Sequence, residues 1–379
     1  MNTMFNVSAR RLSSTALVAL ALLAPTQIFA GAPTIADGKT RISSNENPFG
    51  FSPKALERMK AALDSGNYYN RNDVDDLTTI LASYNKVKKE YILPTAGSGP
   101  VLDMAAHAFV EKGKNVVTTA MGYTQLVEKF RALGGDVKYA ALSPTMGYDF
   151  KELGRQIDAS TVIVYICNPN NPTGTLADPA ELRKFIMSVP ENICVFVDEA
   201  YLELSDPGLT ATTMASLVNL KKNLIVSRTF SKAHAMAGLR AGYAMGQEPM
   251  LAKLRPFYQG SMSYIAAIAA EESIKDTAHM EENRKKYQEV RKYVTAQFDK
   301  MGVQYAPNPQ GAFIYFKPGK GIKGMDLNNK MKESNILIGS TRESGVPEGT
   351  YAEWVRVSIG TKEDMDLFLG ELAKALGKT

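Results

Sequence analysis

Between residues 67 and 260, apolar runs of strand length alternate with stretches of helical pattern, and this alternation restricts the chain to a narrow set of folds. Residues 115–119, 137–140, 161–167, 193–197, 224–227 and 241–245 read as strands, and residues 101–110, 123–133 and 179–189 read as helices. Short, continuously apolar strands separated by helices are buried on both faces. The fold class is therefore α/β, a large domain whose mostly parallel sheet carries helices on both sides. Ligands of such sheets sit beyond the carboxyl ends of the strands. Asn168 follows one strand run and Asp198 closes the next, which brings both to that edge.

After residue 260 the pattern changes. An alanine-rich helix (264–273), a charged helix (280–301), three short strand runs (312–316, 335–338, 354–358) and a terminal helix (362–376) predict a smaller α+β domain. The segment from Ile42 to Leu63 shows no strand partner nearby in sequence and is expected to pack with it. The predicted division is 1–32 as a signal peptide, 33–66 as an N-terminal arm, 67–260 as the large domain and 261–379 as the small one. A length of 379 residues allows two cores of this size.

The first 32 residues form a separate text. Arg10 and Arg11 precede the apolar run Ala16-Leu17-Val18-Ala19-Leu20-Ala21-Leu22-Leu23-Ala24, and Ala30-Gly31-Ala32 offers a small-x-small cleavage site. That is the build of a secretory signal, with an apolar core short for a membrane span. The expectation is export to the periplasm, by the twin-arginine or the general secretory route, with no stable membrane association once the signal is removed. The net charge of +5 is spread along the chain without a basic, aromatic-interleaved cluster, so no nucleic-acid partner is expected. Cys167 and Cys194 lie at opposite ends of neighbouring strand runs, about 10 Å or more apart at strand rise, and are read as two buried thiols. His107, His234 and His279 show no metal-ligand spacing.

The chemistry lies between Asn168 and Gly242. Asn168-Pro169-Asn170-Asn171-Pro172-Thr173-Gly174 is followed by Val197-Asp198-Glu199-Ala200-Tyr201, then Ser227-Arg228-Thr229-Phe230-Ser231-Lys232, then Gly238-Leu239-Arg240-Ala241-Gly242. A carboxylate at the end of an apolar strand needs a cationic partner, and a pyridinium nitrogen is one. On its own, Asp198 also has a reading as a helix N-cap. A lysine that must react with an aldehyde has to be desolvated or placed near other cations. Alone, Lys232 would be one more solvated side chain in a Ser/Thr-rich loop. Thr95-Ala96-Gly97-Ser98-Gly99-Pro100 precedes a helix and offers amides to a phosphate, although most such turns are only turns. Loop asparagine, acid, lysine and arginine in this order are suited to holding a phosphorylated pyridine aldehyde on a lysine.

Together these blocks resemble the aspartate-aminotransferase superfamily of fold type I pyridoxal-phosphate enzymes, and within it the histidinol-phosphate aminotransferase-like group. Ser43-Ser44-Asn45-Glu46-Asn47-Pro48-Phe49-Gly50 is similar to that group's opening motif, and the likeness runs from Ile42 to Leu376. The resemblance implies a pyridoxal 5′-phosphate-dependent transaminase, moving an amino group between an amino acid and a 2-oxo acid. It implies that Lys232 carries the aldehyde, that Asp198 pairs with the ring nitrogen, and that Asn171 and Tyr201 hold the ring oxygen. Ser98, Gly99, Thr229, Ser231 and Arg240 would take the phosphate, and Tyr123 would stack on the ring. Tyr69 would reach the phosphate in a neighbouring subunit, which implies a homodimer with shared sites. Arg356, opposite in facing to Val355 and Val357, matches the arginine that forks a substrate carboxylate, with Asn45 beside it. An exposed edge-strand arginine would look the same in sequence.

Four residues depart from the group. Gly99-Pro100 stands where acidic residues are usual, and Ala312 and Gly339 stand where an asparagine and a second arginine are usual; Arg342 is near in sequence but out of register. These departures put histidinol phosphate in question as substrate and leave the core residues intact. Another reaction on the same scaffold (decarboxylase, β-lyase or cyclase) stays open at this level, as does an exported binding protein without turnover.

Overall fold

The computed structural model describes residues 38–69, 72–340 and 343–378. The predicted signal peptide and Arg342 lie outside the described residues. In chain order the strands are β1 (Thr40–Ile42), β2 (Ile92–Thr95), β3 (Asn115–Thr119), β4 (Asp136–Ala140), β5 (Thr161–Cys167), β6 (Cys194–Asp198), β7 (Leu224–Thr229), β8 (Gly242–Gly246), β9 (Gln304–Tyr305), β10 (Phe313–Lys317), β11 (Ile336–Ile338) and β12 (Val355–Ser358).

A seven-stranded sheet in the order β2-β8-β7-β6-β5-β3-β4 forms the centre. It is parallel from β7 to β4, and β8 runs antiparallel to both its neighbours. Its two faces follow the period-two alternation of side chains. Val164, Ile166, Val195, Val197, Leu224 and Val226 enter one core, with Leu182, Ile186 and Ala266–Ala267 of the covering helices. Ile163, Tyr165, Cys167, Cys194, Phe196 and Ile225 enter the other, against Val101, Leu102, Leu126 and Phe130. Each such side chain contributes roughly 1.5–3 kcal/mol on full burial, so this register is firmly specified. Asp198 and Ser227 continue the second face by parity.

A third core gathers Ile42, Tyr287, Val294, Phe298, Phe313, Phe316, Ile336, Val355, Phe368 and Leu372 around the sheet β12-β10-β9 and the pair β1-β11. β1 pairs in parallel with β11. That pairing gives the N-terminal segment a strand partner that its sequence did not indicate. The helix Pro53–Ala62 packs instead against the helix Tyr264–Lys275, whose alanines are buried in the first core although they lie beyond residue 260. Ala200, Tyr201 and Ala233 reach into the third core. The carboxyl edge of the large sheet therefore meets the smaller core at the residues flanking Asp198 and Lys232. Cys167 and Cys194 are both buried and free, four rungs apart on adjacent strands. Among the described residues no helix is long and apolar enough to cross a membrane.

Candidate active site

Ser98, Gly99, Tyr123, Asn171, Asp198, Tyr201, Thr229, Ser231, Lys232 and Arg240 line one cavity at the carboxyl edge of the large sheet. It is walled on one side by the amino end of the helix Gly99–Phe109 and on the other by the turn after β7.

The phosphate end is shaped by glycine. A Cβ on Gly242 would lie 2.5 Å from the Gly97 carbonyl carbon and 2.7 Å from the Ser98 nitrogen, so only glycine lets β8 approach the Ser98 turn. Gly97 adopts φ +92, and a Cβ there would lie 2.3 Å from an Arg240 Nη. The Arg240 guanidinium donates to Ser231 Oγ at 3.2 Å, and Thr229 Oγ1 and Ser231 Oγ are 2.9 Å apart. A guanidinium, two hydroxyls and a helix amino terminus converge here, a donor set suited to a phosphate dianion. Pro100 withdraws one amide from that terminus.

At the far end Asp198 is almost fully buried, and its Oδ1 accepts from Ser227 Oγ at 3.0 Å. Burial pushes its carboxyl up to about 6. The Ser227 hydroxyl and the Ala200 amide oppose that rise, Glu199 adds to it, and Lys232 opposes it. A buried carboxylate of this kind is relieved by a cation placed against it. Lys232 Nζ donates to the carbonyls of Asn45 at 2.9 Å and Ser44 at 3.4 Å. Its ammonium is pushed down to about 8, first by burial and then by the nearby Arg356, while Glu46 and Asp198 oppose and Arg240 assists. An amine with this value is partly unprotonated near neutrality and competent to attack an aldehyde. Lysine, carboxylate and phosphate cradle thus fit the three ends of pyridoxal phosphate.

The loop after β5 divides its work. Asn168 Oδ1 accepts from the Ala177 amide at 2.8 Å, and Asn170 Nδ2 donates to Met121 O and Thr173 Oγ1. Those two asparagines hold the loop, and Asn171 is the one that lines the cavity. Its Oδ1 accepts from Arg356 Nη1 at 2.7 Å. Tyr201 OH accepts from Asn45 Nδ2 at 3.0 Å, and burial raises its phenol well above the usual range. Asn45 is pinned in turn by Ser358, which accepts from its amide and donates to its Oδ1. Asn47 Nδ2 donates to the carbonyls of Lys232 and Ala233, so the opening motif clamps the lysine turn.

Arg356 lies on β12 and lines an adjoining cavity with Tyr123, Asn171 and Ser340. Its Nη2 donates to Ser43 O at 2.9 Å and its Nε, buried, makes no hydrogen bond. A Cβ on Gly339 would lie 3.0 Å from Nη2, so the glycine makes room for the guanidinium. Asn45 and Arg356 do not line the cavity at the sheet edge themselves but bond Tyr201 and Asn171, which do; Tyr69 lines neither that cavity nor the adjoining one. It is fully exposed beside Tyr68, over a hollow lined by Met262 and Tyr264.

Sequence reasoning missed Gln125 and Ser227. Gln125 Oε1 accepts from Tyr123 OH at 3.1 Å, and its Nε2 donates to Gly99 O and Asp103 Oδ1. It thereby ties the predicted stacking ring to the helix terminus below the phosphate cradle. Its position two residues after Tyr123 was the available signal. Behind the site, Arg228 is buried with Glu199 at 2.8 Å and also donates to Asn85 Oδ1. Among the described residues no group of His, Cys, Asp and Glu has the disposition of a metal site.

A family model for aminotransferase class I and II matches residues 37–372. A histidinol-phosphate aminotransferase from Halalkalibacterium halodurans is 31% identical over 342 residues, covering 89% of each chain. Histidinol-phosphate aminotransferase 2 from Methylococcus capsulatus is 32% identical over 345 residues, covering 89% of this chain and 90% of its own. Among solved structures, the histidinol-phosphate aminotransferase from Sinorhizobium meliloti in complex with pyridoxal-5′-phosphate superposes with a TM-score of 0.78 at 25% identity. That match covers 89% of this chain and 91% of the other.

Proposed function

The chain belongs to the aminotransferase class I and II family, and from that premise we propose a ping-pong transamination in which Lys232 is the base, Asp198 the ring partner and Arg356 the carboxylate anchor. The protein is a pyridoxal-phosphate-dependent aminotransferase acting on amino acids and 2-oxo acids. When bound, the cofactor supplies an aldehyde and an electron-withdrawing ring.

The chain's own residues do the rest. Asp198 accepts a hydrogen bond from the ring nitrogen and keeps it protonated. Asn171, whose Oδ1 is taken by Arg356, has its Nδ2 left to donate to the ring oxygen, with Tyr201 OH beside it. Ser98, Gly99, Thr229, Ser231 and Arg240 hold the phosphate, and Tyr123 covers the ring. Lys232, when its amine is free, would take the proton from the substrate Cα. Arg356 forks the substrate carboxylate, an arrangement its planar guanidinium suits. The amino acceptor then enters the same place and the sequence of proton transfers runs backwards.

The carrying observation is that an amine lowered to about 8 and a carboxylate raised to about 6 line one cavity with a phosphate cradle. Arg356 suits a substrate α-carboxylate, and Gly339 beside it adds no second cation. The test is a panel of amino acids with a 2-oxo acid acceptor. Wild-type protein should release a new oxo acid in proportion to acceptor consumed, and Lys232→Ala should release none. Ammonia or carbon dioxide without acceptor consumption would point to another reaction.

The same reading extends to assembly and location. Two adjacent exposed tyrosines, Tyr68 and Tyr69, beside a broad hollow support a homodimer in which Tyr69 completes the partner's phosphate site. Sedimentation should give twice the chain mass, and Tyr69→Ala should weaken cofactor binding. Residues 1–32 support export to the periplasm. The mature amino terminus of protein recovered from a periplasmic fraction should fall within or just after Ala30-Gly31-Ala32.

A further inference from the structure

We propose that Ser227 is a positioning residue for cofactor binding, its hydroxyl holding the Asp198 carboxylate charged and turned toward the pyridine nitrogen. The proposal rests on the reading of Asp198 as the ring-nitrogen partner.

Register places Cys167, Asp198 and Ser227 in one row across β5, β6 and β7, on the face that the helix Gly99–Phe109 covers. Within that row the carboxylate has a thiol on one side and a hydroxyl on the other. The Cys167 sulfur turns to Pro169 O at 3.5 Å. Ser227 Oγ turns to Asp198 Oδ1 at 3.0 Å. Ser227 is completely buried, so its proton has no water to go to. The three residues before it, Leu224, Ile225 and Val226, are apolar, and a serine at the next rung breaks that pattern for a reason that packing does not supply.

The groups facing Asp198 leave the hydroxyl a clear role. Tyr165 and Cys167 on β5, Tyr148 and Tyr123 from the loops, and Glu199 next in the chain offer it no positive charge. Glu199 is itself occupied by Arg228 at 2.8 Å. Lys232 is the one cation among the groups facing Asp198, and its amine must give up its proton to react with an aldehyde. The Ser227 hydroxyl and the Ala200 amide are then the neutral donors that favour the ionised carboxylate. The bond from Ser227 to Oδ1 fixes how the carboxylate is turned within the row. Removing the hydroxyl would leave a buried carboxylate oxygen without its donor.

Apo-protein of the wild type, Ser227→Ala, Ser227→Thr and Asp198→Asn is titrated with pyridoxal 5′-phosphate between about pH 5 and pH 8, and the dissociation constant is read at each pH. The cofactor's own titrations are common to all four proteins. Wild-type binding should weaken as pH falls through about 6. Ser227→Ala should bind about tenfold more weakly near pH 5 and about twofold more weakly near pH 7, with its acid limb about one pH unit higher, because a lost charged hydrogen bond raises the carboxyl. Ser227→Thr should follow the wild type. Coincident limbs for Ser227→Ala and wild type would overturn the proposal. So would a Ser227→Thr limb displaced as far as that of Ser227→Ala when both unfold at the wild-type temperature. If Ser227→Ala does not fold, Ser227→Cys replaces it, with the same direction expected and coincidence again overturning it. Failure of the underlying reading looks different: Asp198→Asn would then bind as the wild type does.

Discussion

Arg356 on β12 donates to Asn171 on the loop after β5 at 2.7 Å, joining the substrate anchor to the cofactor cavity across the two cores. By this contact the proposed anchor of the substrate carboxylate also orients the proposed ring-oxygen donor. Replacing Arg356 by alanine should therefore raise KM for both amino and oxo acids by about tenfold or more per lost charge-assisted bond. It should also weaken cofactor binding measurably. Arg356→Lys should recover part of the first effect and little of the second, since a point charge cannot serve both partners. Steady-state kinetics with a cofactor titration separates the two.

The environment of Lys232 sets a pH dependence for loading. Uptake of pyridoxal phosphate by apo-protein requires the unprotonated amine, and the folded protein holds that amine down to about 8. The second-order rate constant should rise with pH to a midpoint near 8, well below the 10.5 of an ordinary lysine. Burial is the main cause and the Arg356 charge the next, so Arg356→Ala should move the midpoint upward. Stopped-flow absorbance against pH reads this directly.

Gly242→Ala should be among the most damaging small substitutions in the chain. Its new Cβ would meet backbone atoms of Gly97 and Ser98 at 2.5 and 2.7 Å, and backbone of that kind cannot swing aside. The Ser98 turn must move, so the melting temperature should fall and phosphate binding should weaken together. Free inorganic phosphate, used as a competitor of cofactor binding, would report the second effect.

The buried pair of Arg228 and Glu199 braces the site from behind. Arg228→Met leaves Glu199 charged in the core, with Thr213 and the Met214 amide as its remaining donors. A loss of about 3–5 kcal/mol in urea unfolding is expected. Adding Glu199→Gln should return a substantial part of it, because the carboxylate that Arg228 bonds is then gone as well.

Much of this was legible in the sequence, for physical reasons that also explain the omissions. Asn168 and Asp198 stood out because polar residues ended long apolar runs, and a parallel sheet brings such ends to one edge; Lys232 stood out only through the order of the blocks around it. Ser227 was passed over because it looked like the end of its strand, whereas β7 continues to Thr229. β2 escaped notice because Pro94 interrupts its run; it is an edge strand, where proline is tolerated. β1 is three residues long and pairs with a strand nearly three hundred residues away, which no local pattern encodes. The alanine-rich helix after residue 260 was assigned by position, yet its burial on almost every side places it on the large sheet. Tyr69 was found by resemblance alone, and its exposed ring has its proposed partner on another chain.

The central claim is that Lys232 holds the cofactor's aldehyde while Asp198 meets its ring nitrogen. Borohydride reduction of the cofactor-loaded protein, followed by proteolysis and mass mapping, tests it most directly. The expected result is a phosphopyridoxyl adduct on the peptide that contains Lys232, and on no other lysine. An adduct on a different lysine, or none on a protein that has retained the cofactor, would contradict it.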